Sequence, residues 1–330
     1  MDALDKKLLI VIKDGLFCGL LSAGDIQRAI IRNKSMDTLV EGVLRENVRI
    51  ARPDDLFETI KMMMIEFRME FCPVVNDKNE ITKIYFWDDL FHDTKSLPVK
   101  QFNLPIVIMA GGLGNRLKPL TNVIPKPLIP LNNKTIIEEI IENFSNHGCS
   151  KYYITVNYKA DLIEYYLTNL PYSLEFIRES TPLGTAGSLF LLKGIINDPF
   201  FVSNCDIVIQ QDYSEIYDYH IQYNNEITIV AALKHYPIPY GTIESGEKGQ
   251  LISILEKPEL TFKINSGMYI LEPDLLNEIP PNELFHITDL IKNVKHRKGR
   301  VGVFPVSEKS WMDIGVWDEY SKFIKQDIDK

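Results

Sequence analysis

The first quarter of the chain mixes apolar runs of strand length with segments of helical spacing. Short apolar runs bounded by polar residues fit buried strands, and such runs lie at 8–12, 17–21, 71–75 and 81–86. Helical spacing predicts one helix that begins near Ser22, a second over 55–69, and the start of a third at Asp88. This mixture predicts a small α+β domain.

From residue 104 onward, strands and helices alternate along the chain. Strands are predicted at 106–110, 152–156, 174–177, 200–203, 227–233 and 268–271. After the first of these, apolar residues at helical spacing over 136–144, with glutamates between them, predict an amphipathic helix. The alternation predicts a mostly parallel sheet with helices on both faces, in which ligands bind beyond the C-terminal ends of the strands.

A polar stretch that contains Pro98, residues 94–103, separates these two halves. We therefore expect one domain over 1–95, a linker over 96–103 and a second domain over 104–330. A chain of 330 residues is long enough to form two hydrophobic cores.

Composition narrows the class of protein. The formal net charge of −9, from 36 basic and 45 acidic residues, argues against a nucleic-acid partner. The first apolar run is too short for a signal peptide, and the sequence holds no apolar segment of spanning length, so we expect a cytoplasmic protein with no membrane partner. The scattered cysteines predict neither a zinc site nor a disulfide framework; they are Cys18, Cys72, Cys149 and Cys205.

A glycine-rich loop follows the strand predicted at 106–110. It carries Gly111, Gly112 and Gly114, and the cations Arg116 and Lys126 come soon after. Glycines let backbone N–H groups approach a polyphosphate closely, and cations neutralise its charge. The loop lacks the spacing of a Walker P-loop and of a dinucleotide fold. A tight strand-to-helix turn with solvated cations explains the glycines alone equally well.

Two aspartates each follow an apolar run of strand character. Asp206 ends the run that starts at Phe200, and Asp313 follows Trp311 and Met312. Carboxylates at strand ends are hard oxygen ligands, which suit a Mg²⁺ ion that also holds substrate phosphates. Taken singly, either aspartate is equally explained as a turn or cap residue.

These motifs together resemble those of sugar-1-phosphate nucleotidyltransferases. The family's G-G-x-G-x-R-L-x-P-L-T and P-K-P-L are matched over 111–128, its N-G-D ends at Asp206 with Cys205 in place of glycine, and its W-x-D-x-G spans 311–315. The resemblance implies a Rossmann-like mixed sheet, a Mg²⁺ cofactor, and a nucleoside triphosphate and a sugar 1-phosphate as substrates. We expect Cys205 to narrow the room for the α-phosphate.

The resemblance also implies roles for individual residues. Arg116 is expected on the triphosphate and the leaving pyrophosphate, Lys126 between the α-phosphate and the incoming phosphate, and Asp206 with Asp313 on the metal. The implied nucleotide-binding residues are Ala110, Gly111, Gly112, Gly114, Asn115, Glu179, Gly184 and Thr185. The implied sugar-phosphate-binding residues are Tyr240, Gly241, Glu256, Lys257, Asn265 and Gly267.

Glu179 indicates which base the site accepts. Guanine presents two adjacent donors that an ionised carboxylate can accept together, whereas uracil and thymine present one N–H between two carbonyls. Guanylyltransferases of this family carry E-x-x-P-L-G-T-A-G, which is found here at 179–187. We expect GTP as the nucleotide substrate. A solvated acid at a strand end is the alternative explanation of Glu179.

The N-terminal half resembles a pair of CBS motifs. Residues 19–25 fit G-h-h-S-x-x-D, in which Ser22 and Asp25 hold an adenosine ribose, although a helix cap explains the same two residues. The second motif keeps only Asp89, since Lys83 and Phe86 replace its glycine and hydroxyl. The first motif lacks its opening strand and helix. We therefore expect a truncated pair that forms a homo-oligomer, with an adenine nucleotide as its candidate ligand.

A CBS pair ahead of a guanylyltransferase domain resembles the bacterial glucosamine-1-phosphate guanylyltransferases that supply legionaminic acid synthesis. This resemblance favours glucosamine 1-phosphate as the substrate, and mannose 1-phosphate is the alternative. A protein of a different class, a catalytically silent ligand-sensing or scaffolding subunit on the same fold, also fits the altered CBS motifs and Cys205.

Overall fold

The chain forms two compact units, residues 1–100 and 101–330. The computed structural model describes residues 8–35, 37–67, 69–87, 99–131, 133–317 and 319–321. The helix start predicted at Asp88, and with it Asp89 of the second CBS motif, lies outside the described residues.

The N-terminal unit begins with a hairpin followed by a helix. Strand β1 (Leu8–Lys13) pairs antiparallel with β2 (Leu16–Ser22), and helix α1 covers Ala23–Ile31. Asp14 and Gly15 both have positive φ at the turn, which is the backbone that a tight two-residue hairpin requires. The strands and the helix start predicted here are confirmed.

A second helix and a second hairpin complete this unit. Helix α2 covers Phe57–Glu66, and β3 (Phe71–Val75) pairs antiparallel with β4 (Ile81–Phe86). The helix is shorter than the predicted 55–69 because Phe67 already has the backbone of a helix end. Leu8 and Leu20 of the first hairpin share a core with Phe71 of the second, so the two hairpins form one small α+β unit.

A seven-stranded mixed sheet organises the C-terminal unit. The strands of this unit are β5 (Ile106–Met109), β6 (Pro130–Leu131), β7 (Lys134–Thr135), β8 (Tyr152–Val156), β9 (Leu174–Arg178), β10 (Phe200–Asn204), β11 (Ile207–Ile209), β12 (Ile227–Pro237), β13 (Thr242–Ser245), β14 (Leu251–Leu255), β15 (Glu259–Leu271), β16 (Val301–Ser307) and β17 (Trp311–Asp313). The strand order of the large sheet is β16-β12-β15-β10-β5-β8-β9, and β15 alone runs antiparallel to its neighbours. The mostly parallel sheet predicted from the sequence is confirmed.

Helices cover both faces of this sheet. The helices of the unit are α3 (Ile136–Asn146), α4 (Ala160–Leu167), α5 (Tyr213–Gln222) and α6 (Ile287–His296). On β10, Phe200 belongs to the core that includes Leu290 of α6. The next residue, Phe201, points the other way and packs its ring on Phe144 of α3, with centroids 5.1 Å apart. Alternate residues of one strand thus bury themselves in two separate layers.

Two features of the sheet differ from the sequence expectation. Strand β16 was not predicted, because Gly302 and Pro305 interrupt its apolar pattern. Strands β12 and β15 are longer than predicted and continue beyond the sheet as a two-stranded ribbon, which ends in the hairpin of β13 and β14. We call residues 234–263 the ribbon. None of the described helices has the length and apolar character that would let it span a membrane.

His220 of α5 is buried against the sheet and is 1% exposed. Its ring lies between Thr228 Oγ1, at 2.8 Å, and Glu272 Oε1, at 3.1 Å. Burial lowers the pKa of His220 because it disfavours the imidazolium, and the hydrogen bond to Glu272 offsets only part of that effect.

This lowered pKa predicts a pH-dependent stability. Just below the ordinary pKa of 6.5, the unfolded chain binds more protons at residue 220 than the folded chain does, so the free energy of unfolding should fall as the pH drops through that range. Urea denaturation at several pH values measures this fall. We expect it to be smaller in His220→Gln and unchanged in His296→Gln, a control at an exposed position of α6. Equal pH dependence in all three proteins would contradict the assignment.

Candidate active site

The structure brings the two predicted metal-binding aspartates together. Strand β11 pairs antiparallel with β17, so that Ile207 lies opposite Asp313 and Asp206 comes directly before this pair. The backbone N–H of Ile314 donates to the carbonyl of Asp206 at 3.0 Å. Two carboxylates far apart in the sequence therefore meet at one edge of the domain.

Two cations complete a cluster of charges with these carboxylates. Arg116 lies 3.4 Å from Asp206 Oδ2 through Nη2 and 3.5 Å from Asp313 Oδ2 through Nη1. Lys126 Nζ forms an ion pair with Asp206. The Arg116 side chain is 59% exposed and the Lys126 side chain 12%, so the arginine can reach an incoming ligand while the lysine is mostly buried against Asp206.

A cavity of about 210 Å³ lies over this cluster. Besides Arg116, Asp206 and Asp313, it includes two predicted sugar-phosphate-binding residues, Asn265 and Gly267. Other lining residues were not predicted as site residues: Asn204, Ile207, Ser266, Tyr269 and Trp311. Asn204 and Trp311 belong to the motifs that contain the aspartates, which is a signal that could have identified them.

Gly315 is a site residue that belongs to the W-x-D-x-G motif, and no role was predicted for it from the sequence. A Cβ added here would lie 2.5 Å from Lys126 Nζ and 2.8 Å from Asp313 Oδ1. Its backbone N–H donates to Asp313 Oδ1 at 2.9 Å. The absence of a side chain therefore makes room for the charge cluster, and the backbone orients one carboxylate.

Cys205 does not crowd this cavity. Its side chain is buried, and it is not among the residues that line the cavity. The expected narrowing of the room for the α-phosphate stays a prediction. Burial raises the pKa of the Cys205 thiol to about 12, and the nearby Asp206 acts in the same direction. The thiol is therefore protonated at neutral pH and behaves as a packing residue.

The conformation of the glycine loop depends on a left-handed residue and on a hydrogen bond from the Thr121 side chain. Gly114 has φ +65°, and the Thr121 hydroxyl donates to its carbonyl at 2.9 Å. The loop begins at the buried Ala110 and ends where Asn115 opens a short 3₁₀ turn. Gly112 has nothing within 4 Å of an added Cβ, so its backbone faces open space. The loop leaves its backbone accessible to a phosphate.

Glu179 lies against the glycine loop. A Cβ added to Gly111 would lie 2.9 Å from Glu179 Oε1, so the missing side chain leaves space for this carboxyl group. Glu179 is buried, and its Oε2 accepts from the backbone N–H of Leu183 at 3.2 Å. Burial raises the pKa of Glu179, while the hydrogen bond from Leu183 acts in the opposite direction.

Two other predicted nucleotide-binding residues have packing contacts in the structure. Gly184 has φ +82°, and a Cβ there would lie 2.7 Å from the carbonyl oxygen of Phe285. The Thr185 hydroxyl accepts from the backbone N–H of Ile287, the first residue of α6. These residues dock the segment after Glu179 onto the start of a helix. A nucleotide contact at either residue stays a prediction.

The remaining predicted sugar-phosphate-binding residues lie on the ribbon. Tyr240 and Gly241 come before β13, and Glu256 and Lys257 follow β14 on the opposite side. A Cβ added to Gly241 would lie 3.1 Å from Glu256 Oε2, so the two pairs are neighbours. None of the four lines the cavity over the charge cluster.

In the N-terminal unit, Ser22 and Asp25 form a helix cap. The Ser22 hydroxyl accepts from the backbone N–H of Asp25, whose carboxylate accepts from the Ser22 backbone N–H at 2.7 Å. Arg45 donates to the Ser22 hydroxyl at 2.9 Å, and Arg28 forms an ion pair with Asp25. The cap explanation is thus confirmed, and a ribose contact stays a prediction. A cavity of about 540 Å³ beside the cap is lined mainly by charged residues.

The fold and this cluster of charges define the class of protein. The family model for nucleotidyl transferases matches residues 106–330, and the chain belongs to that family.

Its relatives include a mannose-1-phosphate guanylyltransferase catalytic subunit beta from Dictyostelium discoideum, 36% identical over 53% of this chain and 51% of that protein. The Xenopus tropicalis protein of the same name is 33% identical over 63% of this chain and 60% of its own length. This chain therefore spans about half to three fifths of these relatives. The crystal structure of HddC from Yersinia pseudotuberculosis matches with a TM-score of 0.53 and 27% identity, over 68% of this chain and 99% of that one.

The glycine loop supports a stability prediction. Gly114→Ala should lower the free energy of unfolding by about 2 kcal/mol, because alanine is strained at φ +65° and its Cβ would lie 2.8 Å from Thr121 Cγ2. Gly112→Ala, two residues away with open space around it, is the matched control and should change stability by less than about 1 kcal/mol. Urea denaturation measures both. Similar losses in the two variants would show that the left-handed backbone at Gly114 is not a special constraint.

Proposed function

We propose that this chain transfers GMP from GTP to a sugar 1-phosphate, releasing pyrophosphate and a GDP-sugar. The observation that carries the proposal is one cavity lined by Arg116, Asp206 and Asp313, in which the arginine contacts both aspartates. Lys126 pairs with Asp206 from beside this cavity. The relatives named as mannose-1-phosphate guanylyltransferases support it. A second structure of HddC, complexed with GMP-PN, supports a guanine nucleotide in a site on this fold.

Asp206 and Asp313 are a suitable donor pair for Mg²⁺. Mg²⁺ in phosphate-transfer sites is usually held by one or two carboxylates, with water and substrate phosphates in the other positions. Within the described residues, no group of three or more His, Cys, Asp or Glu side chains could hold a metal, which fits a site that substrate phosphates complete. When bound, the ion would neutralise charge on the triphosphate.

The residues of the cavity suit a reaction that needs no general base. A phosphate oxygen of the sugar 1-phosphate is already an anion, so it attacks the α-phosphorus directly. The bond between the α-phosphorus and the oxygen that bridges the α- and β-phosphates breaks, and pyrophosphate leaves. Lys126, mostly buried and paired with Asp206, neutralises charge between the α-phosphate and the incoming phosphate. Arg116, more exposed, holds the leaving pyrophosphate. The work of the protein is alignment and charge neutralisation.

Glu179 is proposed to select guanine. An ionised carboxylate accepts from N1–H and N2–H₂ of guanine together. The Glu179 carboxyl group lies beside Gly111, in the loop that is proposed to hold the triphosphate. The hydrogen bond from Leu183 orients the carboxyl group.

Mannose 1-phosphate is the first sugar substrate to test, because the relatives that support the proposal carry it in their names. Glucosamine 1-phosphate, expected from the resemblance to enzymes of legionaminic acid synthesis, is the second. Asn265 and Gly267 lie in the cavity where either sugar phosphate would approach the charge cluster.

The activity is tested by pyrophosphate release from each nucleoside triphosphate with each sugar 1-phosphate in the presence of Mg²⁺. We expect GTP with mannose 1-phosphate to give the highest kcat/KM. Asp206→Asn and Asp313→Asn should each lower kcat by about 100-fold or more, the scale of losing one electrostatic contact in an active site.

Asp198→Asn, at an exposed position away from the cavity, is the matched control and should keep full activity. Pyrophosphate release that does not depend on Asp206 or Asp313 would contradict the site. No release with any pair of substrates would favour the catalytically silent subunit instead.

The choice of base is tested by Glu179→Gln. Losing a charge-assisted hydrogen bond in a buried site costs about 1.5–3 kcal/mol, so kcat/KM for GTP should fall roughly 10- to 150-fold while the low activity with UTP is kept or raised. Glu175→Gln changes an exposed glutamate on strand β9, which ends directly before Glu179, and should change neither value. An unchanged ratio of GTP to UTP activity in Glu179→Gln would remove Glu179 from base recognition.

A further inference from the structure

The ribbon leaves the sheet as a pair of strands, with contacts from Lys234 and His235 to Glu308 at its root. Strand β16 accompanies β12 only as far as Leu233, and β10 accompanies β15 only from Met268 onward. Between these points the ribbon consists of β12 paired with β15, followed by β13 paired with β14. A two-stranded ribbon has two free edges and cannot bury its own side chains, so it is only marginally stable by itself.

The ribbon nevertheless exposes many large apolar side chains. Ile243 lies directly opposite Ile254 across the hairpin, so the two share a face. Tyr236 and Phe262 share a face of the preceding part, where their rings meet at 5.9 Å. The exposed fractions range from 44% to 75% for nine residues: Tyr236, Tyr240, Ile243, Leu251, Ile252, Ile254, Leu255, Leu260 and Phe262.

The ribbon carries this apolar surface on both of its faces, because neighbouring residues of one strand, such as Ile254 and Leu255, point to opposite sides. Together, the nine half-exposed large side chains present apolar area on the order of 800 Å², above the few hundred Å² that monomers usually expose, and a partner on one face would bury only part of it.

The charge of the ribbon fits a second copy of the same chain. Within 234–263, four lysines and four glutamates give a formal net charge of zero, whereas the whole chain carries −9. Two copies can therefore meet through their ribbons without the repulsion that the remainder of the surface imposes, and lysines of one copy can face glutamates of the other.

We propose that the ribbon is a self-association surface, through which two copies of this chain form a symmetric dimer. The apolar side chains of the two ribbons bury one another, and the contact stabilises strands that the sheet does not support. The ribbon also carries Tyr240 and Lys257, so the dimer contact would order two predicted sugar-phosphate-binding residues. That consequence rests on the proposed function, but the self-association does not.

Sedimentation velocity of the full chain without substrates, from low- to high-micromolar concentration, tests the proposal. We expect the parent protein to be a dimer and the double variant Ile243→Asp/Ile254→Asp to be a monomer. Leu162→Asp places an acid on another half-exposed apolar residue, on α4, and should leave the dimer intact. Because no substrate is used, failure of the proposed activity would not affect this result.

A second measurement avoids dependence on the variant. In the parent protein, amide hydrogen exchange over 242–255 should slow as the concentration rises through the dimerisation range, whereas exchange in α4 should not change. A parent protein that is monomeric at every concentration, or a folded double variant that remains dimeric, would overturn the proposal. The second outcome would place the interface elsewhere, for example on the N-terminal unit. Exchange over 242–255 that is independent of concentration would also overturn it.

Discussion

The cluster of two carboxylates and two cations is the constraint on which the rest of the candidate site depends. Asp206 is 4% exposed, and a buried charge is tolerated only when opposite charges and hydrogen bonds compensate it. Lys126 and Arg116 supply that compensation. In the proposed reaction, substrate phosphates and a metal ion would replace these ionic partners, so the site is already arranged for charge before any ligand arrives.

Glycines make this arrangement possible by what they leave out. Gly315 gives the cluster its space, and Gly111 does the same for Glu179. In contrast, Gly184 serves the packing of one loop on the segment before α6. Glycines in the motifs of this family therefore have different physical roles. Some leave space for a charged side chain, and others leave space for a neighbouring backbone.

The C-terminal unit contains a rigid part, the sheet, and an unsupported part, the ribbon. The cavity lies among strands whose side chains are buried on both faces, which fixes the positions of the charged groups. Tyr240 and Lys257 belong instead to a ribbon with free edges. In the proposed site, the phosphate end is rigid and the sugar end is carried on the ribbon, so contacts on the ribbon would change the fit of the sugar while the chemistry stays constant.

The sequence by itself determined the alternation of strands and helices, the glycine loop and the identity of the charged groups, because periodicity and motifs are local properties of a chain. Strand β16 was not predicted because Gly302 and Pro305 interrupt its apolar pattern. The full length of β15 was not predicted because the outer half of this strand is not buried. Only the tertiary structure decided that Arg116 touches both aspartates, that Cys205 turns into the core, and that Asn265 joins the cavity while Lys257 does not. These contacts follow from the pairing of β11 with β17 and from the point at which the ribbon leaves the sheet. Such pairings join segments that are far apart in the chain, and no local sequence pattern specifies their register.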